Sequence, residues 1–313
     1  MLSSNAEKIY WLSRYVERAE NTARLVNVNF DLLLDIPHDS VSDFIHLVEI
    51  TGDLEQFNSI LLDEKMFYSS SVSAMKNVVL NFIIFNSDNL GSISYSLEMA
   101  KYNSRHLRTM LPKTAWEQFN KLHTEFSLSD KENYNSEVMH QIIRNSKTFF
   151  ATISDAMHRD HVFDFIKLGR FIERADMLSR IIEDQILRKE AKIPKYYENL
   201  QWMSVLKSVN GFESFKKINK GELKRSNVLD FMVKLKKFPR SIIFCINRLI
   251  AVTKYLPKSE NLKLKLIKIK KQAVKLNEKS TDKQILVILD LLQLGLIDLH
   301  LEIEEKFFNR GPT

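Results

Sequence analysis

Two stretches of the sequence, 156 residues apart, carry the same arrangement of charged groups. Residues 14–25, RYVERAENTARL, align without gaps with residues 170–181, RFIERADMLSRI, and both contain Arg-x-x-Glu-Arg-Ala. The charged candidates are Arg14, Glu17, Arg18 and Arg24 in the first copy and Arg170, Glu173, Arg174 and Arg180 in the second. Because the planar guanidinium group binds carboxylates and phosphates through two hydrogen bonds, four arginines held by glutamates could form a pocket for such a group.

The helix that must carry these residues predicts that the charges are enclosed. At about 100° per residue, Arg14, Glu17 and Arg24 share one stripe, and apolar residues flank it on both sides. Enclosed charges must pair, and suitable spacings within each copy join Arg14 with Glu17, Glu20 with Arg24, Arg170 with Glu173, and Asp176 with Arg180. A structural ion-pair network is therefore favoured over a ligand pocket, although the two uses are compatible.

The rest of the chain predicts an all-α fold. Only 7 glycines and 6 prolines occur in 313 residues, too few for the many tight turns of a β-protein. Apolar periodicity predicts helices over about 4–35, 40–52, 53–63, 72–86, 92–110, 113–126, 136–158, 161–190 and 281–308. We expect a single multi-helix bundle of two pseudo-repeated halves, about 1–130 and 131–313, divided at the polar stretch 127–135 and each containing one motif helix.

Glycines inside two of these predicted helices mark places where a neighbour comes close. Gly169 and Gly295 are the two, and a buried glycine in a helix often allows close approach of another chain segment. We further expect the two motif helices to meet inside the protein.

Other groups of chemically active residues are weaker candidates. Cys245 lies in an apolar run and is predicted to be a buried thiol. His158 and His161 have a spacing that can hold a metal, but two histidines are more often surface or capping residues. Asp298, Glu302 and Glu305 with His300 resemble half of a carboxylate metal site, but the facing Glu-x-x-His motifs do not occur. No glycine-rich phosphate loop is found, and we expect no metal and no cofactor.

The net charge of +7 is concentrated in the last third of the chain. Residues 201–313 hold 23 Lys and Arg against 11 Asp and Glu. The densest part, residues 263–275, alternates lysines with apolar residues at helical spacing, which is typical of a solvated helix face. The lysines are Lys263, Lys265, Lys268, Lys270, Lys271 and Lys275. Nucleic-acid binding through this face is a third functional alternative, weakened by the absence of arginine and aromatic residues there.

The N-terminus and the apolar stretches of the sequence indicate the cellular compartment. The N-terminus has no basic region followed by an apolar one, and no uninterrupted apolar stretch approaches the length of a membrane span. We therefore predict a cytoplasmic protein with no membrane partner.

At the motif residues the sequence resembles the bacterial alpha-E family, a predicted helical domain named for its repeated Glu-Arg motif. The resemblance runs the full length and includes Tyr10-Trp11-Leu12, Ser92-Ile93, Trp116-Glu117, Leu168-Gly169 and Pro239-Arg240-Ser241. The chain differs from the family pattern at Asn89-Leu90-Gly91-Ser92-Ile93, where Asn-Pro-x-Ser-Ile is usual, and at Phe163, where tryptophan is usual.

The resemblance implies a role beside ATP-grasp amide ligases and transglutaminase-like proteins, in peptide synthesis or peptide tagging of proteins. The first expectation is an accessory protein that binds one of these partners, with a peptide or carboxylate as a further ligand. The alternative is an enzyme of the same pathway, catalysing acyl or aminoacyl transfer at the arginines with Glu17 or Glu173 as base. The sequence leaves open whether the protein is catalytic.

Overall fold

The computed structural model describes residues 3–35, 42–64, 72–130, 134–188, 195–220 and 223–308. Over these residues it contains fourteen α-helices and no β-strand, which confirms the all-α prediction. The predicted helices are found, most of them with small shifts at their ends, and the helix predicted over 92–110 is six residues shorter at its C-terminal end. The predicted ends near residues 40 and 190 lie outside the described residues.

The helices form two consecutive sets of seven. The first set is α1 (Ser3–Asp35), α2 (Ser42–Thr51), α3 (Leu54–Glu64), α4 (Val72–Ile84), α5 (Ile93–Ser104), α6 (Lys113–Ser127) and α7 (Ser136–Ala156). The second set is α8 (His161–Leu187), α9 (Lys195–Ser208), α10 (Phe212–Ile218), α11 (Arg225–Lys234), α12 (Ile242–Thr253), α13 (Glu260–Lys275) and α14 (Asp282–Ile303), and a π-helical turn, Glu304–Phe308, follows.

The second set repeats the packing of the first. In the first set α2 packs against α3 and α4, α4 against α5, α5 against α6, and α6 against α7. In the second set α9 packs against α10 and α11, α11 against α12, α12 against α13, and α13 against α14. The second copy therefore begins at α8, whereas the boundary predicted near residue 130 falls between α6 and α7. The polar stretch that suggested this boundary lies between two helices that pack against each other, and its residues 131–133 lie outside the described residues.

Contacts group the chain into two compact units. Unit 1 consists of Met1–Arg14 with His158–Thr313, and unit 2 is Tyr15–Met157. The first turns of α1 therefore belong with the second set of helices.

Local signals explain where several helices begin and end. The side chains of Ser92, Asn135, Asp160, Ser241 and Thr281 each accept a hydrogen bond from a first-turn N–H. The predicted helix over 92–110 ends earlier, at Ser104. Ser104 Oγ donates to the carbonyl of Lys101, and such side-chain bonds compete with helix propagation.

The start of α1 crosses α8 in unit 1 at very short range. A Cβ atom on Gly169 would lie 2.3 Å from the carbonyl oxygen of Tyr10, so only glycine fits there. Beside it, Ser13 Oγ donates to the carbonyl oxygen of Ile166 at 2.6 Å. A Cβ atom on Gly295 would similarly lie 2.7 Å from Ile269 Cγ1. Both glycine predictions are thus confirmed.

Helix α14 with the following turn is long and apolar enough to cross a membrane, judged by length and composition alone. It is the one such helix among the described residues. However, α14 packs against α8 and α13 and exposes Asp290 and Asp298, so it is compatible with a soluble protein.

Candidate functional site

The two motif helices are joined by an ion pair in unit 1. Arg14 Nε donates to Glu173 Oε2 at 2.7 Å, and both side chains are nearly inaccessible to solvent. The sequence predicted Arg14 to pair with Glu17 within its own helix, but the structure gives it a carboxylate 159 residues away. The pair lies next to the Gly169 crossing because Arg14 follows Ser13 directly. Close contact between the helices therefore positions the guanidinium group on Glu173.

A hydrogen-bond series extends from Arg14 to an imidazole on α14. Arg14 Nη1 donates to the Tyr10 hydroxyl oxygen at 3.3 Å, and that oxygen lies 3.1 Å from His300 Nδ1. The Trp11 ring lies 5.1 Å from the guanidinium carbon, which adds a cation–π contact. Burial opposes the charge of Arg14, yet Tyr10 and Glu173 together raise the pKa of its guanidinium group above the ordinary value.

The surroundings of His300 disfavour the protonated form of its ring. Burial, and then the positive charge of Arg14, lower the pKa of His300 below its usual value. Arg14 Nη1 donates to the Tyr10 oxygen, and the Tyr10 hydroxyl group and His300 Nδ1 share the next hydrogen bond of the series. Tyr10 was not predicted to belong to this network, because a hydroxyl and an imidazole 290 residues apart show no spacing pattern.

The second arginine of each motif binds a loop carbonyl. In unit 2 this arginine is Arg18. Arg18 Nη1 donates to the carbonyl oxygen of Leu90 at 3.2 Å, and its guanidinium carbon lies 5.6 Å from the Tyr15 ring. The Tyr15 ring meets the Tyr95 ring edge-on at 6.0 Å. Ser92, which caps α5, accepts the Tyr95 N–H at 3.0 Å. Arg18 thus holds the loop that leads into α5, and we call this arrangement an arginine clamp.

Unit 1 contains a second arginine clamp with equivalent contacts. Arg174 Nη1 donates to the carbonyl oxygen of Pro239 at 3.2 Å, and its guanidinium carbon lies 5.7 Å from the Phe171 ring. The Phe171 ring meets the Phe244 ring edge-on at 6.2 Å. Ser241, which caps α12, accepts the Phe244 N–H at 3.1 Å. In both clamps the bonded carbonyl lies two residues before the capping serine.

The clamps explain why this chain can have leucine at a loop position where proline is usual in the family that it resembles. Leu90 stands where proline is usual, and Pro239 occupies the matching position in unit 1. Because the arginine bonds a backbone carbonyl, the side chain at this position does not enter the hydrogen bond. The repeated Ser-Ile pairs at 92–93 and 241–242 were the sequence signal that could have revealed the second loop.

The remaining predicted site residues are placed as follows. The pairs Glu20 with Arg24, at 2.6 Å, and Asp176 with Arg180, at 3.0 Å, are confirmed. Glu17 is fully buried, and Arg170 is half-buried. Of the four arginines predicted to line a pocket, Arg14 binds a carboxylate, and Arg18 and Arg174 each bind a loop carbonyl.

The weaker candidates also have defined surroundings. Cys245 is buried, as predicted. His161 Nδ1 lies 3.9 Å from a carboxylate oxygen of Asp164 on its own helix. Asp298 lies 2.6 Å from Lys265, and Glu302 lies 2.7 Å from Lys306 and 3.5 Å from Lys265, so two lysines neutralise these carboxylates. Within the described part of the chain, no three side chains of the metal-binding types come together.

The lysine-rich segment forms an amphipathic helix, as predicted. Helix α13 buries Leu262, Leu266, Ile269 and Ala273. Its exposed lysines are Lys263, Lys268, Lys271 and Lys275. Lys265 and Lys270 are half-buried, and Lys270 donates to Asn247 Oδ1 at 2.8 Å.

Taken together, the fold and the site define an all-α protein with an internal repeat of seven helices, in which a Glu-Arg pair opens each copy. Residues 1–308 match the Alpha-E family, described as a predicted α-helical domain with a conserved ER motif. The chain therefore belongs to the Alpha-E family, and Glu17-Arg18 and Glu173-Arg174 fit the description of the motif. Comparison with curated proteins and with solved structures found no match.

Proposed function

We propose that this protein is a cytoplasmic, helical accessory protein that binds an ATP-grasp amide ligase or a transglutaminase-like protein in a system of peptide synthesis or peptide tagging. The class of system rests on the family resemblance. The observation that supports an accessory role is internal: three motif arginines are bonded to groups of the protein itself.

The motif arginines lack the arrangement that an enzyme would need. A carboxylate or phosphate pocket requires guanidinium groups whose donors face a ligand. Arg18 and Arg174 instead direct a donor to loop carbonyls, and Arg14 directs its Nε donor to Glu173. One carboxylate oxygen of Glu173, Oε2, already accepts this hydrogen bond. The motif is better suited to fixing helix and loop positions than to chemistry.

An accessory protein needs a fixed shape, and the motif supplies it. Each clamp couples a motif helix to the loop before the fifth helix of its set, so it stabilises a contact distant in sequence. A buried, hydrogen-bonded charge network can specify one packing of helices over others. We infer that the two Glu-Arg helices hold surfaces in place for a protein partner.

One observation favours the enzyme alternative. The series from Arg14 through Tyr10 ends at His300, a half-buried imidazole whose pKa is lowered by burial and by Arg14, and a lowered pKa favours the neutral form that a general base requires. In an acyl or aminoacyl transfer reaction His300 would be the candidate base, in place of Glu17 or Glu173. A peptide or free carboxylate would then be the ligand.

The test uses the purified full chain and the purified ATP-grasp ligase of the same host. We expect saturable binding by isothermal titration calorimetry, and a change in ADP release by the ligase when the chain is added. His300→Gln should leave both unchanged. Absence of binding at tens of micromolar, with unchanged ADP release, would contradict the accessory role. Acyl transfer by the chain alone that is lost in a folded His300→Gln variant would establish the enzyme.

A further inference from the structure

The outward face of α14 has an apolar stripe. Five large apolar side chains on it are between 41% and 55% exposed to solvent: Val287, Leu291, Leu294, Ile297 and Leu301. The opposite face of the same helix is the buried one, with Ile285, Leu289, Leu292, Leu296 and Leu299 in the core. Val287, Leu294 and Leu301 follow one another at intervals of seven residues, so they lie in one line along the helix. Packing against the protein core therefore does not explain why the exposed face is also apolar.

The internal repeat provides a direct comparison, because α7 is the counterpart of α14. The capping residues Asn135 and Thr281 set the register, in which buried residues coincide: Met139 with Ile285, Ile142 with Ile288, Phe150 with Leu296, and Ile153 with Leu299. In this register the stripe positions of α14 correspond on α7 to Gln141, Asn145, Thr148, Ala151 and Asp155. The same fold is thus built with a polar or small outer face in one copy and an apolar one in the other. The apolar stripe is therefore present on α14 and not on its counterpart α7.

The stripe has the symmetry that contact with a second copy requires. About Leu294, Leu291 and Ile297 lie three residues to either side, and Val287 and Leu301 lie seven residues to either side. Two such helices placed antiparallel about a twofold axis at Leu294 match apolar residues with apolar residues along about 21 Å.

The charges at the ends of the stripe follow the same symmetry. Lys283 and Glu305 lie eleven residues to either side of Leu294, and both are exposed. In the antiparallel pair each lysine would face a glutamate of the other copy. Asp290 and Asp298, four residues to either side, would face like charge, but Lys265 lies 2.6 Å from Asp298 and offsets it.

We propose that α14 forms a twofold, antiparallel interface with α14 of a second copy of this chain, centred on Leu294. Half-exposed side chains of this size present roughly 400 Å² of apolar surface per protomer, a patch that marks interaction sites on soluble proteins. Two such patches bury roughly 800 Å² together, less than the about 1,200 Å² at which stable specific interfaces begin, so the dimer should be weak and should dissociate at micromolar concentration.

The experiment is sedimentation velocity of the full chain between about 1 and 100 µM, the range in which a weak interface of this size exchanges between monomer and dimer. We expect the mass to rise from 36.7 kDa to twice that value across the series. Leu294→Glu places two carboxylates on the twofold axis and should keep the protein monomeric, with an unchanged helical circular dichroism spectrum. Thr148→Glu, at the equivalent position of α7, is the matched control and should dimerise like the wild type.

Charge reversal tests the orientation independently of the apolar centre. Lys283→Glu alone and Glu305→Lys alone should each weaken the dimer by roughly 2-fold to 5-fold, as exposed ion pairs do, and the double variant should restore it. A wild-type protein that stays monomeric at every concentration would overturn the proposal. So would a dimer that survives Leu294→Glu, or a monomer whose α14 stripe binds phospholipid vesicles, because the stripe would then serve a membrane.

Discussion

Removing the carboxylate of Glu173 tests whether the motif charges stabilise the fold. In the structure Glu173 Oε2 lies 2.7 Å from Arg14 Nε, and the two side chains are 2% and 11% exposed. Glu173→Ala would leave a positive charge in a site that excludes water. Removing one partner of a buried ion pair costs about 3–5 kcal/mol.

The expected cost lies near the lower limit of that range. Arg14 keeps the Tyr10 hydroxyl at 3.3 Å and the Trp11 ring at 5.1 Å, and a tenth of its side chain reaches solvent. We therefore expect the free energy of unfolding to fall by about 3 kcal/mol, which lowers the melting temperature by roughly 5 °C for a protein of 313 residues. Glu173→Gln should cost less, because the amide oxygen still accepts a hydrogen bond.

The assay is thermal and urea-induced unfolding followed by circular dichroism. Asp176→Ala is the matched control: it removes a carboxylate one turn along α8, where the partner, Arg180, is 41% exposed, so the loss should stay below about 1 kcal/mol. A double variant, Arg14→Met with Glu173→Met, should recover much of the loss because no charge is then stranded. If Glu173→Ala unfolds at the wild-type temperature, the charge network does not stabilise the protein. That result would favour the interpretation of the motif as a ligand pocket.

Three further predictions concern the helix crossing, the imidazole and the lysine face. Gly169→Ala should destabilise the protein more than Gly295→Ala. The methyl group added at position 169 meets the backbone of α1, whereas the methyl group added at position 295 meets a side chain that can move. Equal melting temperatures of the two variants would contradict this. The pKa of His300 is lowered in the folded state, so the unfolded chain binds more protons than the folded one as the pH falls below the ordinary histidine pKa of about 6.5, and stability should be lost there. The unfolding free energies of wild type and His300→Asn, compared from pH 8 to pH 5, measure this contribution. The same pH dependence in both proteins would refute the prediction. Changing the exposed lysines of α13 to glutamate should shift the melting temperature by no more than a few degrees, because exposed charges contribute little; tight, salt-sensitive binding of nucleic acid by the wild type that these variants lose would instead support the nucleic-acid alternative.

Much of this protein's architecture is determined locally, and the sequence was sufficient for it. Scarce glycine and proline and a 3.6-residue apolar period predicted the helices and most of their ends. The same periodicity predicted that the motif charges are enclosed, and Glu17 and Glu173 are indeed buried. Pairs four residues apart, such as Glu20 with Arg24, followed from helix geometry alone.

Only the tertiary structure decided which distant groups meet. Helical periodicity fixes the face on which Arg14 lies, but the carboxylate that faces it, Glu173, depends on how α1 crosses α8 at Gly169. The loop carbonyls bound by Arg18 and Arg174 carry no residue-type signal, because every residue has one. The start of the second copy at α8 likewise emerged from the order of helix contacts, since packing repeats where the side chains have diverged.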